Sequence, residues 1–443
     1  MSSARIVLLL AIGSCLSCGD AAEVPPAAGA ARPAGLLADA IDEAADRNQA
    51  QVVAWRRDLH EHPELSNREF RTAELVASEL QRMGLVVRRK VAHTGVVALL
   101  EGSSPEPVVA LRADMDALPV TEETRLPFAS RVRTEFGGRE VGVMHACGHD
   151  AHVAILLGVA ETLSGLRERL PGSVLFVFQP AEEGAPPGEE GGAERMLADG
   201  VFANPRPGAI FGLHVVPQHE AGEIAYRARG AMASSDRLRI VIHGRQTHAA
   251  YPWLGVDPIT VAARTVLALQ ALPAREVDTR IPAVVSIGQI QGGVRGNIIP
   301  DSVELVGTLR ALDPVLRETL HEKVRKTAEG TAATAGARAE VTIEHGYPVT
   351  YNDPELVRAT LPTLERVAPG RVIETLPRTG AEDFSYFARE VPGFYFWLGI
   401  RSPGTRPEDA APNHSPLFRV DESALPVGVR ALSNVAVDWL SAH

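Results

Sequence analysis

Three short apolar runs, Val108–Leu111, Ser173–Phe178 and Ala209–Leu213, each lead directly toward residues that can carry charge. Asp116 follows the first, Glu182 and Glu183 follow the second, and His214 follows the third. The runs read as buried strands, with Val96–Leu100 as a further one, while Ala151–Leu163 has the three- to four-residue apolar spacing of a helix. Strands and helices alternating in this way specify an α/β layer architecture with a mixed, largely parallel sheet. Open sheets of that kind present functional groups beyond the carboxyl ends of their strands, so four polar side chains fall on one edge.

Ahead of these strands, Ser66-Asn67-Arg68-Glu69 has the form of a capping box, and Thr72 to Met83 recur at helical spacing until Gly84. Trp55–His62 reads as a separate helix closing at Pro63. The pattern changes near Ser234. From there strands at Asp236–His243, Ala283–Ile290, Ser302–Leu309 and Ala339–His345 interleave with helices at Pro258–Leu272 and Pro314–Thr334. That order, β-α-β-β-α-β, is the ferredoxin-like arrangement, read as a second domain (234–345) inserted between two halves (36–233 and 346–443) of the first. A helix at Pro354–Val367, a strand at Gly393–Leu398 and a helix at Glu422–Leu440 complete the first domain.

A chain of 443 residues is long enough for two cores. Its formal net charge of -11 leaves no basic surplus to neutralise phosphates, which excludes nucleic acid as a partner. The first 18 residues have a short basic start at Arg5, the apolar stretch IVLLLAIG and small residues before Cys15 and Cys18, as in a bacterial export signal. Either cysteine fits a lipidation site, so the expected location is the periplasm, free or anchored to the membrane as a lipoprotein. Residues 19–35, rich in alanine and proline, read as a tether.

Cys147 is the one cysteine outside that leader, and it sits in Gly142–His152, GVMHACGHDAH, with three histidines and an aspartate. Thiolate and imidazole are preferred ligands of zinc and its first-row neighbours, and Gly148 lets Cys147 and His149 converge from a turning backbone. Adjacent carboxylates such as Glu182 and Glu183 point in different directions, so one can ligate while the other faces a substrate. His214, after its strand, and His414, between Pro412 and Pro416, are further donors. With Asp116 behind Cys147, His149, Glu183, His214 and His414, the set exceeds what one tetrahedral ion takes and suits two ions about 3.5–4 Å apart.

Blocks in consistent order from LRADMDALP (111–119), MHACGHD (144–150) and FQPAEEG (178–184) through THAAYP (247–252), QGGVRGNIIP (291–300), GTLR (307–310) and GAEDFS (380–385) carry a family likeness. The chain resembles the metal-dependent amidohydrolases of the aminoacylase and carboxypeptidase type, in the branch of hippurate hydrolase and the plant auxin-conjugate hydrolases. The resemblance implies hydrolysis of the amide bond of a small N-acyl amino acid, with a dipeptidase or carboxypeptidase as the alternative. It implies two divalent ions, zinc or manganese ahead of cobalt or nickel, on Cys147, His149, Glu183, His214 and His414. Glu182 then stands as general base and acid, Asp116 as the carboxylate that orients a ligand, and His248 as support for the oxyanion, from a neighbouring subunit or on closure. Asn297, Arg310 and Arg378 stand as substrate-holding residues, and the inserted domain as a lid and a homodimer surface. A non-catalytic exported protein that captures such a ligand or a metal would not need Glu182, which is present.

Overall fold

In the computed structural model, which describes residues 35 and 37–443, the chain runs as an eight-stranded mixed sheet with an inserted four-stranded domain. The expected export signal, with Cys15 and Cys18, and residues 19–34 of the expected tether lie outside the described residues. Helices α1 (Ala38–Glu61) and α2 (Phe70–Arg82) precede strands β1 (Val86–Val91), β2 (Gly95–Leu100) and β3 (Val108–Asp114). Then come α3 (His149–Ser164), β4 (Ser173–Gln179), β5 (Ala209–Glu220) and β6 (Ile224–Tyr226). The inserted domain contributes β7 (Asp236–His243), α4 (Pro258–Arg275), β8 (Ala283–Gly292), β9 (Ser302–Ala311), α5 (Pro314–Thr334) and β10 (Arg338–His345). The first domain resumes with α6 (Pro354–Val367), β11 (Val372–Glu374), β12 (Gly393–Arg401) and α7 (Leu425–Ala442).

The main sheet has the order β1-β2-β4-β3-β5-β12-β6-β11. Its centre is parallel, β4 with β3, β3 with β5 and β5 with β12, while β1, β2 and β6 add antiparallel pairings. Because successive side chains face opposite sides, Val109, Leu111 and Ala113 of β3 pack under α1, α3 and α7, and Val108 and Ala110 join Met196, Phe384 and Phe387 on the other face. A central strand apolar on both sides is what such a sandwiched sheet requires. The inserted sheet has the order β8-β9-β7-β10, antiparallel throughout. Three helices, α4, α5 and α6, begin the same way: Asp257, Asp313 and Asp353 accept a backbone N–H of the first turn, and a proline with its φ already helical follows each.

Several expectations are corrected. Trp55–His62 is no separate helix but the end of α1, because Ile41, Ala45, Val52, Trp55 and Leu59 continue one buried stripe with no breaker between them. The capping box does not cap: α2 starts at Phe70 without a side-chain cap, Ser66 donates to Asp116, and buried Glu69 accepts from Ala181 N–H and the Thr94 hydroxyl. The strand expected to end at Leu213 runs to Glu220, since β12 pairs with it from Ile210 to Val216 and again at Glu220, so His214 lies within the strand. Strand β1 and the hairpin Arg133–Phe136/Arg139–Gly142 had no apolar signature, being largely exposed and charged.

Helices α1, α3 and α7 meet closely at Gly158, where an added Cβ would lie 2.7 Å from Val52 Cγ2 and 2.8 Å from Val429 Cγ2. Gly158→Val is expected to pry these helices apart and cost about 1–3 kcal/mol. Thermal unfolding followed by circular dichroism checks this, and an unchanged midpoint would show that the crossing tolerates bulk.

Candidate metal centre

Gly148, at φ +92° immediately before α3, turns the chain so sharply that a Cβ there would sit 2.3 Å from Val215 Cγ2. That turn puts Cys147 and His149 on either side of one bend, both buried. His414 enters from the other half of the domain at φ +70°, a left-handed conformation costly for a side-chain-bearing residue, and Ala181, just before Glu182, has the same kind of backbone at φ +53°. Hydrogen bonds fix the first of these: His414 N–H donates to Ala146 O at 2.8 Å, and Asn413 Nδ2 donates to Cys147 O at 3.0 Å.

The five expected donors come together around Cys147. Its Sγ lies 3.4 Å from His214 Nε2 and 3.3 Å from His414 Nε2, and His414 Nε2 lies 3.0 Å from Glu183 Oε1. His149 Nδ1 donates to Asp116 O and His214 Nδ1 to Val215 O, each at 2.8 Å, so each ring in its neutral form has its lone pair on Nε2. Buried Nε2 of His149 has no hydrogen-bond partner. Donor atoms of Cys147, His149 and His214 lie within 4.8 Å of one another, as do those of Cys147, Glu183 and His414, and those of His149, Glu182 and Glu183. Cys147 belongs to two of these sets, so the donors form overlapping clusters around a shared thiol, the pattern two neighbouring ions need.

Electrostatics agree with that fit. Burial, then Glu382, Glu183 and Asp383, hold the Glu182 carboxyl well above its ordinary value. Burial also raises Asp383, to about 8, with Arg112 opposing. Among the described residues Arg112 is the one arginine bonded into this acidic group, paired with Asp114, Glu382 and Asp383 at 2.7–2.9 Å. Added cations would relieve the remaining repulsion. Burial pushes the Cys147 thiol up, and a bound ion would deprotonate it.

Asp116 lies against His149 and the Glu182-Glu183 turn. Its carboxylate accepts Glu182 N–H at 3.1 Å, Glu183 N–H at 3.0 Å and the Ser66 hydroxyl at 2.8 Å, and faces His149 Nδ1 at 3.3 Å. Other support has no local signal in the sequence. His152 donates from Nδ1 to Asp114 at 2.5 Å and accepts Val215 N–H at 2.8 Å, and the Tyr347 hydroxyl donates to Glu182 O at 2.7 Å. The Glu382-Asp383 pair reaches Arg112 across 270 positions of chain, and its one trace in the sequence is a charged residue inside the apolar run of β3.

A cavity of about 540 Å³ opens on the centre, lined among others by Cys147, Glu182, His214, Arg378, Trp397 and His414. Arg378 is thus brought to the site. Its guanidinium stacks 4.8 Å over Trp397, donates to Gln218 Oε1 at 3.3 Å and has no carboxylate partner among the described residues, and burial lowers its pKa to about 10. His248, Asn297 and Arg310 line no part of this cavity. His248 and Asn297 lie exposed and adjacent on the inserted domain, where Ala249 N–H donates to Asn297 O, and half-buried Arg310 sits in β9 opposite Val284.

A family model described as peptidase family M20/M25/M40 matches residues 110–438. Thermostable carboxypeptidase 1 of Saccharolobus solfataricus is 40% identical over 390 residues, 88% of this chain and 95% of its own. N-acetylcysteine deacetylase of Bacillus subtilis is 38% identical over 388 residues, 87% and 96% of the two chains. A solved Bacillus subtilis structure, described as a dinuclear metal-binding peptidase of the M20 family, superposes with a TM-score of 0.76 at 35% identity, covering 90% of this chain and all of that one.

Asp116→Ala is expected to weaken metal binding about 10- to 100-fold by freeing His149 and the Glu182-Glu183 turn. Cys147→Ser should lower bound metal per chain. Metal analysis after dialysis reads both, and unaltered stoichiometry in Cys147→Ser would remove the thiol from the ligand set.

Proposed function

The chain belongs to the peptidase family M20/M25/M40, and on that footing we propose that this hydrolase cleaves the amide bond of small N-acyl amino acids. The observation that carries the reading is a cavity lined by the buried carboxylate of Glu182, by four of the five donors and by Arg378, which has no carboxylate partner among the described residues. Two divalent ions on Cys147, His149, Glu183, His214 and His414, zinc or manganese ahead of cobalt or nickel, would polarise the carbonyl and acidify a water.

The side chains then divide the work. Glu182 takes the proton of the attacking water and returns it to the leaving nitrogen, which suits a carboxyl held by its surroundings above the usual range. Arg378, stacked on Trp397, offers two-pronged hydrogen bonds to the free carboxylate of the amino acid. His248 supplies a hydrogen bond to the developing oxyanion, and Asn297 and Arg310 hold substrate, when the inserted domain closes or a second copy of the chain presents them. Support for a second copy is the edge strand β8, unpaired on its outer side among the described residues, with Ile290, Val294, Leu267 and Trp253 exposed on the inserted domain. The leader residues support export to the periplasm, with a lipid on Cys15 or Cys18 as anchor. Among the described residues no helix is long and apolar enough to cross a membrane.

Peptide cleavage from a free carboxyl end is the second reading, favoured by the likeness to a carboxypeptidase, and Arg378 would serve it equally. N-acetyl and N-benzoyl amino acids tested against dipeptides with a free amine separate the two; faster turnover of the dipeptides would overturn the first.

Glu182→Gln is expected to keep its metal while kcat falls about 10²- to 10⁴-fold, the usual worth of a general acid–base group. Arg378→Met should raise KM about 10- to 100-fold, the loss of a charge-assisted contact, with kcat little changed. Substrates whose carboxylate is masked as an amide should not notice the second change, and equal losses on both substrates would point to collapse of the Trp397 wall instead.

A further inference from the structure

The inserted domain carries its own cluster of metal-binding side chains, apart from the main centre. Glu318 and His321 stand three residues apart on α5, on one helix face, and His345 ends β10 beside them. One donor atom from each lies within 4.8 Å of the other two. The rings of His321 and His345 meet edge to face at 4.9 Å between centroids, in a pocket that Glu322 also lines.

One observation separates this group from a chance meeting of surface residues. His321 is buried, and its Nε2 is held at 2.9 Å by the carboxylate of Asp236, itself buried and fixed by Arg317 at 2.5–3.0 Å. A histidine whose one nitrogen is pinned by a carboxylate keeps a single, oriented lone pair on the other, the arrangement by which proteins prepare an imidazole for a metal. Ligand atoms around a tetrahedral zinc stand about 3.3–3.4 Å apart. Exposed Glu318 and His345 can close the difference by side-chain rotation alone. Arg325 and Lys326 at the pocket rim oppose a cation, which makes this the weaker of the protein's metal sites.

We propose that Glu318, His321 and His345 form a third metal site, for a zinc-like first-row ion, at the hinge of the inserted domain. Asp236 opens β7 and His345 closes β10, so the two chain crossings between the domains lie at the site. Gly346 N–H donates to Asp236 at 3.2 Å, Ser235 N–H to Tyr347 O at 2.9 Å, and Tyr347 holds Glu182 O. An ion bridging α5 to His345 would staple the second crossing to the domain it leaves and stiffen the segment that positions the proposed base.

The test uses the untagged protein equilibrated with zinc in excess, dialysed in steps against buffers of falling free zinc, with bound metal counted at each step. Wild type is expected to release one equivalent before the others. His345→Ala and Glu318→Gln, both at exposed positions, should lack that equivalent while keeping the tighter ones, and Cys147→Ser should keep it. Hydrogen exchange of residues 344–347 should slow when the weak site fills, in wild type and Cys147→Ser but not in His345→Ala or Glu318→Gln. The proposal is overturned if wild type holds no weak equivalent, or if His345→Ala and Glu318→Gln hold as many as wild type. Because the readout is metal count and exchange, failure of the proposed hydrolysis would leave these results unchanged.

Discussion

Carboxylates that leave water together repel one another, and the first domain gathers Asp114, Asp116, Glu182, Glu183, Glu382 and Asp383 into one region, most of it dry. The arrangement holds because Arg112, fully buried in β3, bonds to three of them and to Gln179 and Tyr395. Removing one partner from such a network strands the rest, at a cost of several kcal/mol. From this anchor the support passes outward: Asp114 fixes His152, His152 accepts from the backbone beside His214, and Asp116 holds His149 and the Glu182-Glu183 turn. Repulsion left over after Arg112 is what gives the cluster its appetite for cations.

How far the molecule could be read in advance follows from whether the signal was local. Apolar runs betrayed β3, β4 and β5 because a sheet covered on both faces needs them, and Asp-Pro pairs marked the starts of α4, α5 and α6. The β-α-β-β-α-β order of the inserted domain was legible for the same reason, each element announcing itself by its own period. Ser66 and Glu69 misled because capping is judged over four residues, whereas both are claimed by partners far along the chain, Asp116 and Ala181. The Arg112–Glu382–Asp383 contacts and the Tyr347–Glu182 bond depend on the fold being complete and leave almost nothing to read.

The candidate site residues divide along the domain boundary. Cys147, His149, Glu182, Glu183, His214, Arg378 and His414 belong to the first domain and meet there, whereas His248, Asn297 and Arg310 travel with the insertion. Sequence order cannot tell these groups apart, since motif blocks from both run on in series. Geometry does, because the inserted domain is joined to its host by two crossings of the chain, and at Asp236, where the first enters the domain, bonds arrive from Arg317 and His321 of α5 and from Gly346 of the second crossing.

The pairing of β5 with β12 has a bearing on how the protein is made. These neighbours, parallel from Gly393 opposite Ile210 onward, are separated in the chain by the whole inserted domain. Contacts so distant in sequence are slow to form, and until they do β5 offers an open edge. His414 emerges later still. A nascent chain therefore cannot bring the five donors together before His414 has been made, 267 positions after Cys147.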